Sequence, residues 1–95
     1  MIGLYVEYFI KPTYRRGDFF AALMKEKIAE DTLQEGGCES YRFLYPAIGD
    51  NSLVLLEAWQ DAQAQAAHKQ TQQFVRLQKL KDFYVEKTIL HPFGE

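Results

Sequence analysis

Two residue periodicities alternate along this chain, and their order restricts the fold to very few plans. In "IGLYVEYFI" the two-residue repeat sets Ile2, Leu4, Val6, Tyr8 and Ile10 on one face and Tyr5, Glu7 and Phe9 on the other. β-Branched and aromatic residues suit a pleated, half-buried surface, so residues 2–10 are predicted as a strand. "KPTYRRGD" closes it as a loop, with Asp18 the expected N-cap of the next element. From residue 19 to about 33 the repeat changes, and Phe20, Leu23, Met24, Ile28 and Thr32 recur at helical spacing. "QEGGC" ends that helix, because glycine enters the left-handed region with little strain. Alternation returns in "ESYRFLY" (39–45) and "LVLLEAW" (53–59), which the turn "PAIGDNS" joins as a hairpin. Asp61 caps a helix carrying His68. Thr71 breaks or bends that helix, and Phe74, Leu77 and Leu80 stripe its continuation. "FYVEKTIL" (83–90) is the last predicted strand, with "HPFGE" as a tail.

The resulting order, β-α-β-β-α-β, is the ferredoxin-like split unit of the α+β class, an antiparallel sheet with helices over one face. Ninety-five residues make a single domain spanning 1–95, with no room for a second core. Helices on one face leave the other face to water. Both faces of the first and third strands carry large apolar residues here, a patch beyond what soluble monomers expose. A second copy packed sheet to sheet covers it and protects the edge strands, so a homodimer is expected. Aromatic residues make up 15% of the chain, a surplus that suits an apolar pocket or a subunit interface.

Several function classes fall away on charge and motif. A net charge of −2 offers no cationic excess to displace phosphate counterions, so nucleic acid is not an expected partner. A single cysteine, Cys38, makes no internal disulfide and fits a reducing cytoplasm. Glu7 interrupts the first apolar run and no basic leader precedes it, so that run reads as neither signal peptide nor membrane span. His68, His91 and Glu57 lack the short spacings of a zinc or iron site, so no metal is expected. There is no phosphate-cradling loop and no flavin or dinucleotide fingerprint, so no cofactor is expected either.

Three stretches, "IKPTYRRGDF" (10–19), "EGGCESY" (35–41) and "LEAWQDAQAQAAH" (56–68), carry a resemblance when read together and in order. The first is similar to a strand–Lys–Pro–loop–acidic–Phe opening. The second is similar to a Glu-x-Gly-Cys-x-x-Tyr lead into a second strand, and the third to Glu-x-Trp-x-Asp followed by alanines and His. Together they resemble the antibiotic-biosynthesis-monooxygenase-like proteins, small dimeric α/β-barrel proteins. The likeness covers nearly the whole chain. It departs at Gln73, where many members carry a second His. Haem-degrading relatives use an Asn on the first strand and a later helix His, whereas this chain has Glu7 in that strand region and no His in "QQFVRLQKL". The resemblance therefore leaves three readings open: an oxygenase, an isomerase or lyase of a small oxygenated or phosphorylated metabolite, and a ligand-binding dimer without chemistry. Some members oxygenate quinols or anthrone-like polyketides with O2 and no cofactor; others isomerise or process a phosphorylated sugar.

Cofactor-free oxygenation needs an electron-rich anion, hence a base of near-neutral pKa beside the substrate hydroxyl. Under the resemblance His68 is that base, with Ala64 and Ala67 leaving space beside it. The plainer reading is a helix histidine bonded to a carbonyl or facing water. Trp59 and Glu57 share a strand face; Trp59 either stacks on a flat ligand or fills the core. Glu57 either orients His68, moves a proton, or makes a structural bond. Tyr41 and Phe43 are candidate pocket walls, as are Phe74 and, on the first strand, Tyr5, with core packing the alternative for Tyr5. Arg42 defaults to a surface or interface cation, and Cys38 to a small buried thiol with no local base.

Overall fold

The computed structural model describes residues 1–94, and the order of its elements follows the two periodicities. They are β1 (Ile2–Ile10), α1 (Arg16–Lys25), α2 (Ile28–Thr32), β2 (Cys38–Leu44), β3 (Ser52–Trp59), α3 (Ala62–His68), α4 (Gln72–Tyr84) and β4 (Val85–Gly94). The strands form one sheet in the order β2-β3-β1-β4, and each neighbouring pair is antiparallel. This is the ferredoxin-like α+β arrangement. No helix among the described residues is long and apolar enough to cross a membrane.

Register decides which face each residue serves. Val6 lies opposite Leu55, Tyr8 opposite Leu53, and Leu4 opposite Glu57, so these residues share one face. That face carries the core: Val6, Tyr8, Ile10, Leu53, Leu55 and Trp59 pack against Phe19 and Leu23 of α1, Ile28 of α2 and Leu77 of α4. Trp59 is fully buried, and truncating such a side chain typically costs about 3–5 kcal/mol. Tyr5, Phe9, Leu56 and Ile89 project from the opposite face, which no helix among the described residues covers. There Phe93 lies over Gly3, where an added Cβ would stand 2.2 Å from the ring.

The element ends differ from expectation in several places, among them Phe83 and Tyr84, which continue α4 so that the last strand begins at Val85. Arg15, not Asp18, precedes the first helical residue; Asp18 sits at the third helical position, its Oδ2 accepting from the Arg15 amide at 2.8 Å. A carboxylate one turn in can satisfy the free donor behind it, so the helix starts earlier than a simple capping rule suggests. The single predicted helix is also broken at Lys27, whose φ of 56° and ψ of 36° are left-handed. Arg76 of α4 spans the break, donating from Nη2 to the Glu26 carbonyl at 3.2 Å and to Asp31 Oδ2 at 2.7 Å. Finally, "HPFGE" is not a tail: β4 continues to Gly94, paired along β1 as far as Ile2. Pro92 lacks a donor, but β4 is an edge strand, where that lack is tolerated.

Candidate active site

A cavity of about 160 Å³ lies between the helix side of the sheet and helices α3 and α4. Its walls follow from the element periods. Leu4, Val6 and Tyr8 come from alternate positions of β1, with Glu57 opposite Leu4 on β3 and Leu90 opposite Val6 on β4. Helix α3 and its C-cap contribute Gln65, His68 and Lys69 at i, i+3 and i+4. Helix α4 contributes Phe74, Leu77, Gln78 and Lys81 along one line of its surface.

His68 sits at this wall, only 3% exposed. The capping expected at Asp61 is present, with Ala64 N donating to Asp61 Oδ1 at 2.9 Å. Thr71 fixes the next junction: its Oγ1 donates to the His68 carbonyl at 2.7 Å and accepts from Phe74 N at 3.2 Å. The His68 ring stands against Trp59 at 4.8 Å between centroids, with Phe74 edge-on at 5.3 Å and Tyr41 at 5.9 Å. Three aromatic neighbours leave the imidazole little rotational freedom.

Its hydrogen-bond partner is Glu35, from the loop before β2. Nδ1 lies 2.7 Å from Glu35 Oε2. An ionised carboxylate only accepts, so the neutral ring carries its proton on Nδ1. Nε2 then bears the lone pair, and no protein hydrogen bond occupies it among the described residues. Gln73 Nε2 donates to the same Glu35 oxygen at 2.8 Å, which fixes the amide orientation as well as the carboxylate. Gly37 makes this approach possible. Its φ is +87°, and a Cβ there would stand 2.6 Å from the Ala64 Cβ of α3. With Gln60 N donating to the Gly37 carbonyl at 2.7 Å, the loop lies directly on the helix that carries His68.

Glu57 is a buried carboxyl at the cavity wall, and its Oε1 accepts from Trp59 Nε1 at 2.9 Å. Burial raises its pKa, against the lowering effect of the Trp59 bond and of His68 and Lys69 nearby. Burial, and then the Glu57 charge, likewise push the Tyr8 hydroxyl well above its ordinary value. Lys81 shifts downwards, again chiefly because burial disfavours its charged form. A carboxyl, an imidazole and the amines of Lys69 and Lys81 therefore line one small cavity, with Leu4, Val6, Phe74, Leu77 and Leu90 supplying its apolar wall.

The residues singled out in sequence divide around this geometry. His68, Glu57 and Phe74 line the cavity. Trp59 backs the imidazole from beneath. Tyr41 also lies behind it, with its buried hydroxyl unpartnered among the described residues. Phe43 packs edge-on to Phe20 and Tyr41 and borders a separate depression of about 130 Å³ with Tyr45 and Leu53. Tyr5 is on the other face of the sheet, edge-on to His91. His91 is bonded there through Nε2 to Glu7 at 2.9 Å. Arg42 is exposed on that same face, in register with Leu56. The Cys38 thiol donates to the Ser40 carbonyl at 3.7 Å, and burial followed by Glu35 pushes its pKa up. Among the described residues no three His, Cys, Asp or Glu side chains gather as a metal-binding group. Sequence reasoning missed Glu35 as the partner of His68, and it missed Tyr8, Gln65 and Lys81 at the wall. Only Lys81 left a signal, as a cation on the line Phe74–Leu77–Gln78 of an amphipathic helix.

Comparison with known proteins places this chain in a family. Residues 1–80 match the family described as antibiotic biosynthesis monooxygenase. No curated protein matches the sequence. Among solved structures, a Nitrosomonas europaea protein described as a candidate antibiotic biosynthesis monooxygenase superposes with a TM-score of 0.85 at 22% identity, over 100% of this chain and 98% of its own. A conserved Methanosarcina mazei protein gives 0.85 at 21% identity, over 99% and 91%. A Bacteroides thetaiotaomicron protein, of unknown function and described as a possible oxidoreductase, gives 0.80 at 25% identity, over 97% and 94%. The structures share the fold, and the match over most of the sequence shows the lineage: the chain belongs to the antibiotic biosynthesis monooxygenase family.

Proposed function

We propose that this protein is a cofactor-independent monooxygenase that uses O2 to oxygenate a hydroxyaromatic of quinol size, with His68 as general base. The observation that carries the reading is His68 at the cavity wall, with Nδ1 held by Glu35 and Nε2 left for a ligand. Nε2 takes the substrate hydroxyl proton, and the Glu35 carboxylate stabilises the imidazolium that results. The electron-rich anion then reduces O2 within the cavity. One oxygen atom joins a ring carbon, and the other leaves as water with two hydrogens from the substrate. All four electrons come from the substrate, so no outside reductant is needed.

Cavity size narrows the substrate. An apolar cavity of about 150 Å³ accommodates benzene, so about 160 Å³ favours a single hydroxylated ring over a fused three-ring polyketide. Trp59, Tyr41 and Phe74 hold the imidazole, and Phe74 with Leu4 and Val6 supplies apolar contact. A second reading, an isomerase of a small oxygenated anion, draws support from Lys69 and Lys81 at the wall. A phosphorylated sugar is a poorer fit, because it is larger than one ring and meets the Glu57 carboxyl.

The functional unit in this reading is a cytoplasmic homodimer. Its interface is the uncovered sheet face with Tyr5, Phe9, Leu56 and Ile89, and this completes the α/β barrel. Light scattering that finds only an 11.1 kDa species at micromolar concentration refutes the dimer. Oxygen uptake with a panel of quinols, on protein shown by absorbance and metal analysis to be colourless and metal-free, tests the chemistry. Consumption should depend on the protein and fall by about a hundredfold or more in His68→Ala. Unchanged turnover in that variant removes His68 as the base. Conversion of an oxygenated anion without O2 uptake selects the second reading.

A further inference from the structure

Of the two cations at the cavity, Lys81 is the one partly withdrawn from water, and among the described residues it has no anionic partner. Lys81 lies one turn beyond Leu77 and Gln78 on the face of α4 that lines the cavity. Among the described residues its amine makes no ion pair within 4 Å and no hydrogen bond. Its assigned contact is the face of the Tyr8 ring, 5.5 Å from the centroid. Lys11, by contrast, is capped by the Asp82 carbonyl at 2.8 Å, and Lys69 stands exposed to water at the cavity rim. Glu57 and Asp82 are near enough to favour the charged form of Lys81, yet burial outweighs them. An ammonium half withdrawn from water gains most from a ligand that brings its own negative charge. Glu57 does not serve in that role, because its Oε1 is engaged by Trp59 and burial favours its neutral form.

We propose that Lys81 forms an oxyanion subsite of the cavity, which selects aromatic ligands bearing an ionised hydroxyl over neutral rings of the same shape. The subsite rests on the reading of this cavity as a hydroxyaromatic site. It adds the form in which the ligand is held: the anion that His68 generates, or one already ionised in solution. Charge held by a fixed amine in an apolar cavity is stabilised without reorganisation of water.

Binding of 4-nitrophenolate and of nitrobenzene, its neutral analogue, tests this without any turnover. The parent protein should bind 4-nitrophenolate more tightly than nitrobenzene. Lys81→Met should weaken 4-nitrophenolate by about tenfold or more, leave nitrobenzene unchanged, and thereby report an intact cavity. Lys81→Arg should recover part of the loss. The proposal is overturned if Lys81→Met binds 4-nitrophenolate as the parent does, if both probes weaken together, or if the parent binds neither. Phenyl phosphate binding more tightly than 4-nitrophenolate overturns it in favour of a phosphate site. Lys81-dependent binding of 4-nitrophenolate without quinol-dependent oxygen uptake sinks the monooxygenase reading and leaves the subsite standing.

Discussion

Replacing Gly37 with alanine should strain the loop that carries Glu35 and draw the carboxylate away from His68. Gly37 has a φ of +87°, and an L side chain there costs about 1–2 kcal/mol. The new Cβ would also stand 2.6 Å from the Ala64 Cβ, against an optimum of about 3.5–4.0 Å. Loop and helix α3 must then part by about 1 Å, an overpacking that costs about 1–3 kcal/mol. The two terms sum to a destabilisation of about 2–5 kcal/mol, or at least ~10 °C in Tm for a chain of this length. Urea and thermal denaturation followed by Trp59 fluorescence measure the change. Ala64→Gly in the same chain removes the clash but not the φ penalty, and costs about 1 kcal/mol in helix propensity. The double variant should therefore lose less than the two single losses combined, by about 1–3 kcal/mol, the clash term it removes. Under the proposed function, oxygen uptake by folded Gly37→Ala should also fall, because a displacement of about 1 Å between a base and the group that orients it can cost about a hundredfold. A Gly37→Ala protein within about 0.5 kcal/mol of the parent and fully active would refute this account of the loop.

Two further outcomes test the electrostatics and the backbone. The folded-state pKa of Glu57 is raised above its ordinary 4.5, so its contribution to stability is complete below about that pH and is lost as pH rises through the folded value. Glu57→Gln removes that loss while keeping an acceptor for Trp59, so as pH rises from 4.5 through the raised folded value its Tm should gain on the parent's and then level off. A difference that stays flat with pH over that window contradicts the assignment. Lys27→Gly relieves a left-handed lysine and should stabilise the protein by about 0.5–1 kcal/mol in urea titration. A loss of stability there would mean that Lys27 makes contacts worth more than its strain.

The strands were legible because alternation and β-branched content report directly on pleated geometry, and both helix caps at Asp61 and Thr71 follow from local hydrogen bonding. Which sheet face the helices cover was not legible, since β1 is apolar on both. Tyr5 was therefore grouped with Glu57, although the pairing of Tyr5 with Leu56 puts it on the opposite side. Glu35 could not be assigned to His68 from sequence: 33 residues separate them, and their approach depends on Gly37 lying against α3. The glycines marked a turn but not what the turn would touch. Lys81 was partly legible, because a cation seven residues after Phe74 shares its helical line, yet an amphipathic stripe ordinarily places such a residue at the boundary with water.

Gln73 joins these levels. In sequence the resemblance sets it where many members carry a second histidine, a departure that weakens any chemistry needing two imidazoles. In the fold its amide donates to the Glu35 oxygen that also faces His68 Nδ1. An amide cannot take up a proton in the physiological range, but it can hold a carboxylate in place. The substitution therefore keeps the orientation of the Glu35–His68 pair and leaves His68 as the imidazole lining the cavity. A reaction needing one proton acceptor fits that arrangement. Shuttling a proton between two imidazoles, as some isomerisations would require, does not.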